Sequence, residues 1–400
     1  MEIDGIEIDA ARQQQAREYA RKRRRISYID MAIAAAGIIL ILGAGLDRWL
    51  RNLQQSAVGG VPILGWQPHP GWYPLQILIT FLILMIGYQL LTLPLSYYGF
   101  TLSRRYGLST MSLKGWIMDL LKGFVLGLVF EGVVIMLIYA LLAYQPQWWW
   151  LWVAIVLLFF SVIMANLAPV LIFPLFYKFT PLPEGELTER LMALVARANT
   201  KVRGVFTMHL SNKTTAANAA LMGLGNTRRI VLGDTMTDRY TVEEIEVVLA
   251  HELGHHVHHD IWKLLISQSI LMLGGLFVAN LILHWVVEGL HLYTSLTDPA
   301  TLPFLFLLMG LFGLIVMPIS NSYSRRVEYQ ADEYALQSTQ KVAAFKSAMT
   351  RLANQNLAEI EPSPLVELLF HSHPSIRKRL QHADEFASRG ELAATPSVQP

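Results

Sequence analysis

His251, Glu252 and His255 stand at H-E-x-x-H spacing within Val248-Leu249-Ala250-His251-Glu252-Leu253-Gly254-His255-His256. Residues four apart share a helix face, so the two imidazoles point the same way. At that spacing they can grip one Zn²⁺, with Glu252 beside them to take a proton from the activated water. The surrounding run is apolar and helix-compatible, and Thr241 with Glu244 forms a T-x-x-E capping box ahead of it. The rival reading is a helix that carries a few surface histidines.

A second element decides between them. A zinc protease site needs a third protein ligand and one open position. The H-E-x-x-H-x-x-G-x-x-H pattern would put a third His at position 261, where this chain has Ile261. The remaining option is a Glu from a later helix, and Tyr323-Ser324-Arg325-Arg326-Val327-Glu328-Tyr329-Gln330-Ala331-Asp332 offers Glu328. Asp332 lies four residues on, on the same face. It can accept a hydrogen bond from the far nitrogen of a metal-bound His.

These two stretches resemble the type I CAAX prenyl endopeptidases, integral-membrane zinc proteases related to the bacterial heat-shock membrane protease. More of the chain carries the resemblance: Leu93 to Asp119 with Lys122, Ala168-Pro169 through Lys178, and Pro181 to Leu187. It extends over nearly everything from about residue 17 onward. It implies a mainly α, polytopic fold with a cytoplasmic α+β protease domain of the gluzincin type. It also implies a water-accessible chamber among the spans. Asn218, His373 and Arg379 match the family's cleft positions. Asn218 and Arg379 are therefore expected to bind substrate, and His373 to act in catalysis by hydrogen-bonding the developing oxyanion. The chain departs from eukaryotic members at its start, where they carry one more span.

The elements that must position these residues are apolar. Of 400 residues 53% are hydrophobic and 16% charged, with a mean hydropathy of +0.38, a balance expected of an integral membrane protein. The net charge of +2 is too small to suggest nucleic acid as a partner. With no cysteine there is no disulfide, thiolate ligand or cysteine nucleophile. No cleavable signal peptide is expected, because the first segment is polar.

Six apolar segments are long enough to span or nearly span a bilayer: about Tyr28–Leu46, Pro74–Leu95, Trp116–Ala143, Trp149–Phe176, Leu264–Val287 and Leu302–Ile319. Trp148, Trp149, Trp150 and Trp152 resemble an interfacial aromatic belt. Arg21 to Arg25, Arg104, Arg105, Lys114, Lys178, Arg325 and Arg326 fall at one end of these spans, with Arg48 and Arg51 the exceptions at the other. The positive-inside rule then places both termini and the zinc helix in the cytoplasm.

The expected organisation is a basic N-terminal arm (1–27) and a membrane domain of four spans (28–178). A protease domain with two further spans (179–385) and a flexible tail (386–400) follow. Within the protease domain, 187–198 reads as an amphipathic helix, and 205–210, 218–223 and 229–232 as strands. The middle strand is the candidate sheet edge for aligning a peptide. Glu131, Asn166, Asn280 and His284 lie at membrane depth, where polar groups face a partner or a cavity. His256, His258 and His259 read as interfacial.

The predicted function is a membrane zinc endopeptidase with one Zn²⁺ on His251, His255 and Glu328. Its substrate is a peptide or protein, lipidated or membrane-associated, beside the lipid bilayer. One alternative is a quality-control protease of membrane proteins with the same chemistry. The other is a divalent-cation transporter, which would need neither Glu252 nor a strand-bearing insert.

Overall fold

The computed structural model describes residues 8–58 and 73–394. Helices dominate: α1 (Ala10–Gly43), α2 (Leu46–Val58), α3 (Pro74–Arg105), α4 (Leu113–Tyr144), α5 (Trp149–Leu167) and, after a π-helical turn at Ala168–Ile172, α6 (Phe173–Phe176). The remainder is β1 (Phe179–Pro181), α7 (Glu186–Arg197), β2 (Val205–Met208), β3 (Ala219–Met222), β4 (Arg229–Gly233), α8 (Asp234–Thr237), α9 (Val242–Val257), α10 (Asp260–His284), α11 (Thr301–Thr339), α12 (Val342–Gln355), α13 (Pro364–Phe370) and α14 (Ile376–Ala394). Among the described residues six helical segments have the length and hydropathy to cross a membrane: Ala10–Gly43, Pro74–Arg105, Leu113–Tyr144, Trp149–Phe176, Asp260–Gly289 and Thr301–Thr339. Their count agrees with the sequence reading. Most run past the apolar core into flanking polar sequence, because a helix stops at a cap or breaker and not where hydropathy falls.

That difference matters at three places. The N-terminal arm does not stand free: α1 is helical from Ala10 and continuous with the first span. Asp9 caps it, accepting from the Ala11 and Arg12 amides. Its first turns dock on the protease part, where Gln13 is buried, donates to the Ala358 carbonyl and accepts from the Ile360 amide. Arg24 pairs with Glu359 at 3.0 Å. At the other end, α14 runs to Ala394, well into the stretch expected to be a tail; residues 395–400 lie outside the described residues. Most consequential, α11 continues as one helix from the sixth span through Glu328 and Asp332.

Several polar groups among the spans are satisfied in pairs. Trp149 is buried and donates its indole N–H to Asn280 at 2.7 Å, so it belongs to the core and not to the aromatic belt; Trp148 and Trp152 are exposed. Tyr139 and Thr301 share a buried hydrogen bond of 2.7 Å. In hydrocarbon an unmet donor costs several kcal/mol, on the order of the whole margin of a small fold. Asn166 accepts from Thr227 at 2.5 Å, and His284 lies 3.0 Å from Glu288. Glu131 lines an otherwise apolar cavity of about 410 Å³ with residues of α4, α5, α10 and α11. Arg51, against the charge bias, is held by Asp298 at 2.6 Å.

The protease part is built on a four-stranded sheet in the order β1-β2-β4-β3. The central pair β2–β4 is parallel, with Val205 opposite Ile230; β1 and β3 add antiparallel at the two edges. The sequence reading missed β1, which is only three residues long. Leu191, Leu194 and Val195 of α7 and Ile230 and Leu232 of β4 form one core with Ile245, Leu249 and Leu253 of α9.

Candidate metal centre

The metal centre depends on how α9 starts and what it packs against. Thr241 Oγ1 accepts from the Glu244 amide, and Glu244 returns the bond to the Thr241 amide, completing the capping box. Glu244 is buried yet satisfied, since Arg351 and Ser347 also donate to it. α9 is buried almost all round and packs along α11. The helices come close at Gly254, where a Cβ would lie 2.9 Å from Ala331 Cα. Only glycine lets the two backbones meet there. That contact sets His251 and His255 opposite Glu328, one helical turn before Ala331.

His251, His255 and Glu328 offer ligand atoms that all lie within 4.8 Å of one another. Donors held at about 2.0–2.1 Å from one tetrahedral ion lie about 3.3–3.5 Å apart. His251 Nε2 is 3.3 Å from Glu328 Oε2, and His255 Nε2 is 3.5 Å from Glu328 Oε1. Glu328 Oε2 is fully buried and accepts no hydrogen bond. A buried carboxylate oxygen without a donor is costly unless a cation meets it. Burial lowers the His251 pKa, but the Asp332 and Glu328 carboxylates beside it outweigh that and lift the imidazole to about 9. The pocket therefore favours positive charge at this point, and the donor set fits a divalent metal.

Each histidine has a carboxylate behind it. His251 Nδ1 is 2.8 Å from Asp332 Oδ1, the carboxylate that the sequence reading names for this place. His255 Nδ1 is 3.0 Å from Asp260 Oδ2, which that reading missed. α9 ends at Val257, and His259 adopts the left-handed conformation (φ 57°), turning the chain so that buried Asp260 points back. Nothing in the local pattern marks this, because the spacing is neither three nor four. Lys263 donates to the other Asp260 oxygen at 3.0 Å. Asp260→Asn and Asp332→Asn are each expected to weaken metal affinity by about 10–100-fold, by loosening ring orientation and tautomer. Metal titration of the two variants checks this; an Asp260→Asn protein with wild-type affinity removes Asp260 from the centre.

The three remaining expected residues fall in different places. His373 Nε2 lies 3.2 Å from Glu328 Oε1 with its ring largely exposed, so it stands at the mouth of the cluster. Its segment is fixed by Arg325, which donates to the Glu367 and His371 carbonyls. Arg379 does not face the cleft. It is buried behind His251, donating to Asp332 through Nε at 2.8 Å and Nη2 at 2.5 Å. Burial lowers the guanidinium pKa, but Asp332 outweighs it and raises it, so Arg379 stays charged. Two of its nitrogens are thus committed to one buried carboxylate. Asn218 is exposed at the start of β3, where its carbonyl accepts from Gly233. A pocket of about 230 Å³ beside the cluster is lined by Leu221, Gly223, Glu252, His255 and Glu328; the β3 segment enters it through Leu221 and Gly223, not Asn218.

Comparison with known proteins agrees with this arrangement. The family model for peptidase family M48 matches residues 181–387, and that for the CAAX prenyl protease N-terminal region, with five membrane helices, matches residues 4–178. The structure has four of its six candidate spans in that second region, together with the short α2. CAAX prenyl protease 1 of Saccharomyces cerevisiae is 30% identical, over 74% of this chain and 69% of that protein. An uncharacterized metalloprotease of Bacillus subtilis, YhfN, is 28% identical over 92% of this chain and 85% of its own length. The crystal structure of Saccharomyces mikatae Ste24p superposes with a TM-score of 0.78 at 25% identity, covering 94% of this chain and 89% of that one. None of these favours the quality-control or the cation-transporter reading. A close pair of histidines, a Glu from the helix of the sixth candidate span and matches along the whole chain lead to one assignment: the protein belongs to peptidase family M48, as a multi-pass membrane metalloendopeptidase.

Proposed function

We propose that the protein is a zinc endopeptidase that cuts lipidated, CAAX-type substrates at the cytoplasmic boundary of the membrane. The observation that carries this reading is the position of the ligand cluster. α9 turns directly into the fifth span at Asp260, and Glu328 lies on the helix of the sixth. The donor set of two imidazoles and one carboxylate suits zinc, which when bound supplies a Lewis acid that activates water and shares the oxyanion charge.

The chain's own residues do the rest. His251, His255 and Glu328 hold the ion; Asp332, Asp260 and Arg379 hold the ligands. A peptide added antiparallel to edge strand β3 would run past Glu252 through the pocket lined by Leu221 and Gly223. Glu252 takes the proton of the attacking water and passes it to the leaving amine. His373, at the open side, donates to the carbonyl oxygen as it gains charge. Asn218 serves the substrate strand from its outer end. In this reading 28–178 is a membrane unit and 179–385 a protease unit, with α1 bridging them, and nucleic acid has no part.

Sidedness rests on the Lys/Arg bias. The absence of native cysteine makes a clean test available. Exposed Gln145→Cys is expected to react with an impermeant thiol reagent in intact cells, and exposed Asn212→Cys only after lysis. Labelling of Asn212→Cys from outside reverses the orientation.

Location and the relatives named CAAX prenyl protease support this substrate class. Each buried CH₂ contributes about 0.8 kcal/mol, so two such groups already raise apparent affinity about tenfold. A prenylated CAAX-type peptide should therefore be cut with kcat/KM at least about tenfold above the same peptide unprenylated, with an apolar transmembrane peptide cut more slowly. The assay uses purified enzyme in lipid nanodiscs, with Glu252→Gln as the blank. Equal efficiency on all three peptides means that lipid plays no part in recognition.

A further inference from the structure

A cavity of about 540 Å³ lies where α1, α3 and α4 meet the protease part, and the peptidase chemistry uses none of it. One wall is apolar and aromatic. Phe100 and Trp116 stack with centroids 5.3 Å apart, and Ile26 and Leu95 extend the wall into the apolar part of the spans. The other wall is polar, with Arg23 as its unpaired cation. Arg23 has no carboxylate partner among the described residues, and it rests over Gly99, where a Cβ would lie 3.1 Å from its Nη1. Arg104 is exposed beside the cavity, not on its wall, and sits over the Phe100 ring at 5.7 Å, likewise without a carboxylate among the described residues. Lys213 is already paired with Asp119.

The depth of the cavity narrows the ligand. Arg104 and Arg105 end α3 and Lys114 opens α4, so the cavity sits where these spans leave the apolar layer. Free guanidiniums above an aromatic and aliphatic wall at that level suit a phosphate that carries acyl chains. We propose that this cavity binds one anionic glycerophospholipid, its phosphate on Arg23 and Arg104 and an acyl chain along Ile26, Leu95 and Phe100.

The site also touches the path to the substrate strand. Ser109 bridges Thr214; the Thr110 amide donates to the Lys213 carbonyl and the Thr215 amide to the Leu108 carbonyl, both at 3.1 Å. Asn356, also on the cavity wall, holds Ala217 by both its N–H and its C=O, and β3 begins two residues later. A bound lipid therefore braces the membrane helices against the segment that leads into β3.

Native mass spectrometry of the purified, metal-loaded protein tests this, with phosphatidylglycerol, phosphatidylcholine and inorganic phosphate as probes. Wild type is expected to retain phosphatidylglycerol in preference to phosphatidylcholine. Arg23→Gln should lower that retention about fivefold, the share of one interfacial cation, and Arg12→Gln, in the first turn of α1 and off the cavity wall, should leave it unchanged. Arg104→Gln carries the same expectation should Arg23→Gln fail to fold. Equal retention of the two lipids, or wild-type retention by the folded arginine variants, overturns the proposal. So does displacement of short-chain phosphatidylglycerol by an equal concentration of inorganic phosphate, since a phosphate site alone needs no apolar wall.

Discussion

Glu252→Gln is expected to lower kcat/KM by about 10²–10⁴-fold while metal stays stoichiometric. The amide keeps the size of the side chain and its place in the pocket beside His255 and Glu328. What it loses is the ability to accept a proton at neutral pH. Glu252 is not among the three clustered ligands, so removing its charge leaves them in place. The loss should fall on kcat, because the proton moves only as the bond to water forms. Metal analysis and peptide cleavage on one sample check this. A variant within tenfold of wild type takes Glu252 out of the proton-transfer role.

Glu328→Ala is expected to abolish activity by another route, with loss of the metal itself. Glu328 supplies the only carboxylate in the cluster, and one of its oxygens is buried without a hydrogen bond. Removing it leaves two imidazoles, a set short of the three protein ligands that catalytic zinc sites use. The effect should exceed the roughly 10–100-fold expected for a supporting carboxylate such as Asp332. The readouts are bound zinc after dialysis and thermal stability with and without added metal, since a ligand that binds only the folded state raises Tm. Stoichiometric zinc and full activity in Glu328→Ala would show that the third ligand is another residue.

The sequence by itself determined whatever repeats at the period of a helix or needs only length. His251 and His255 share a face because four residues make about one turn. Glu328 and Asp332 pair for the same reason, and six apolar runs become six spans because a bilayer needs about twenty residues each. The capping box at Thr241 and Glu244 is equally local. Only the tertiary structure decided the rest, because it depends on pairs far apart in sequence or on a break in local geometry. Gly254 against Ala331 sets the distance between α9 and α11, and so whether Glu328 meets the histidines at all. The left-handed His259 aims Asp260 at His255 over a spacing that no helix period predicts. Arg379 was placed in the cleft by the family resemblance. It proved to be a buried partner of Asp332, because a carboxylate that deep behind a metal ligand needs its own counter-charge.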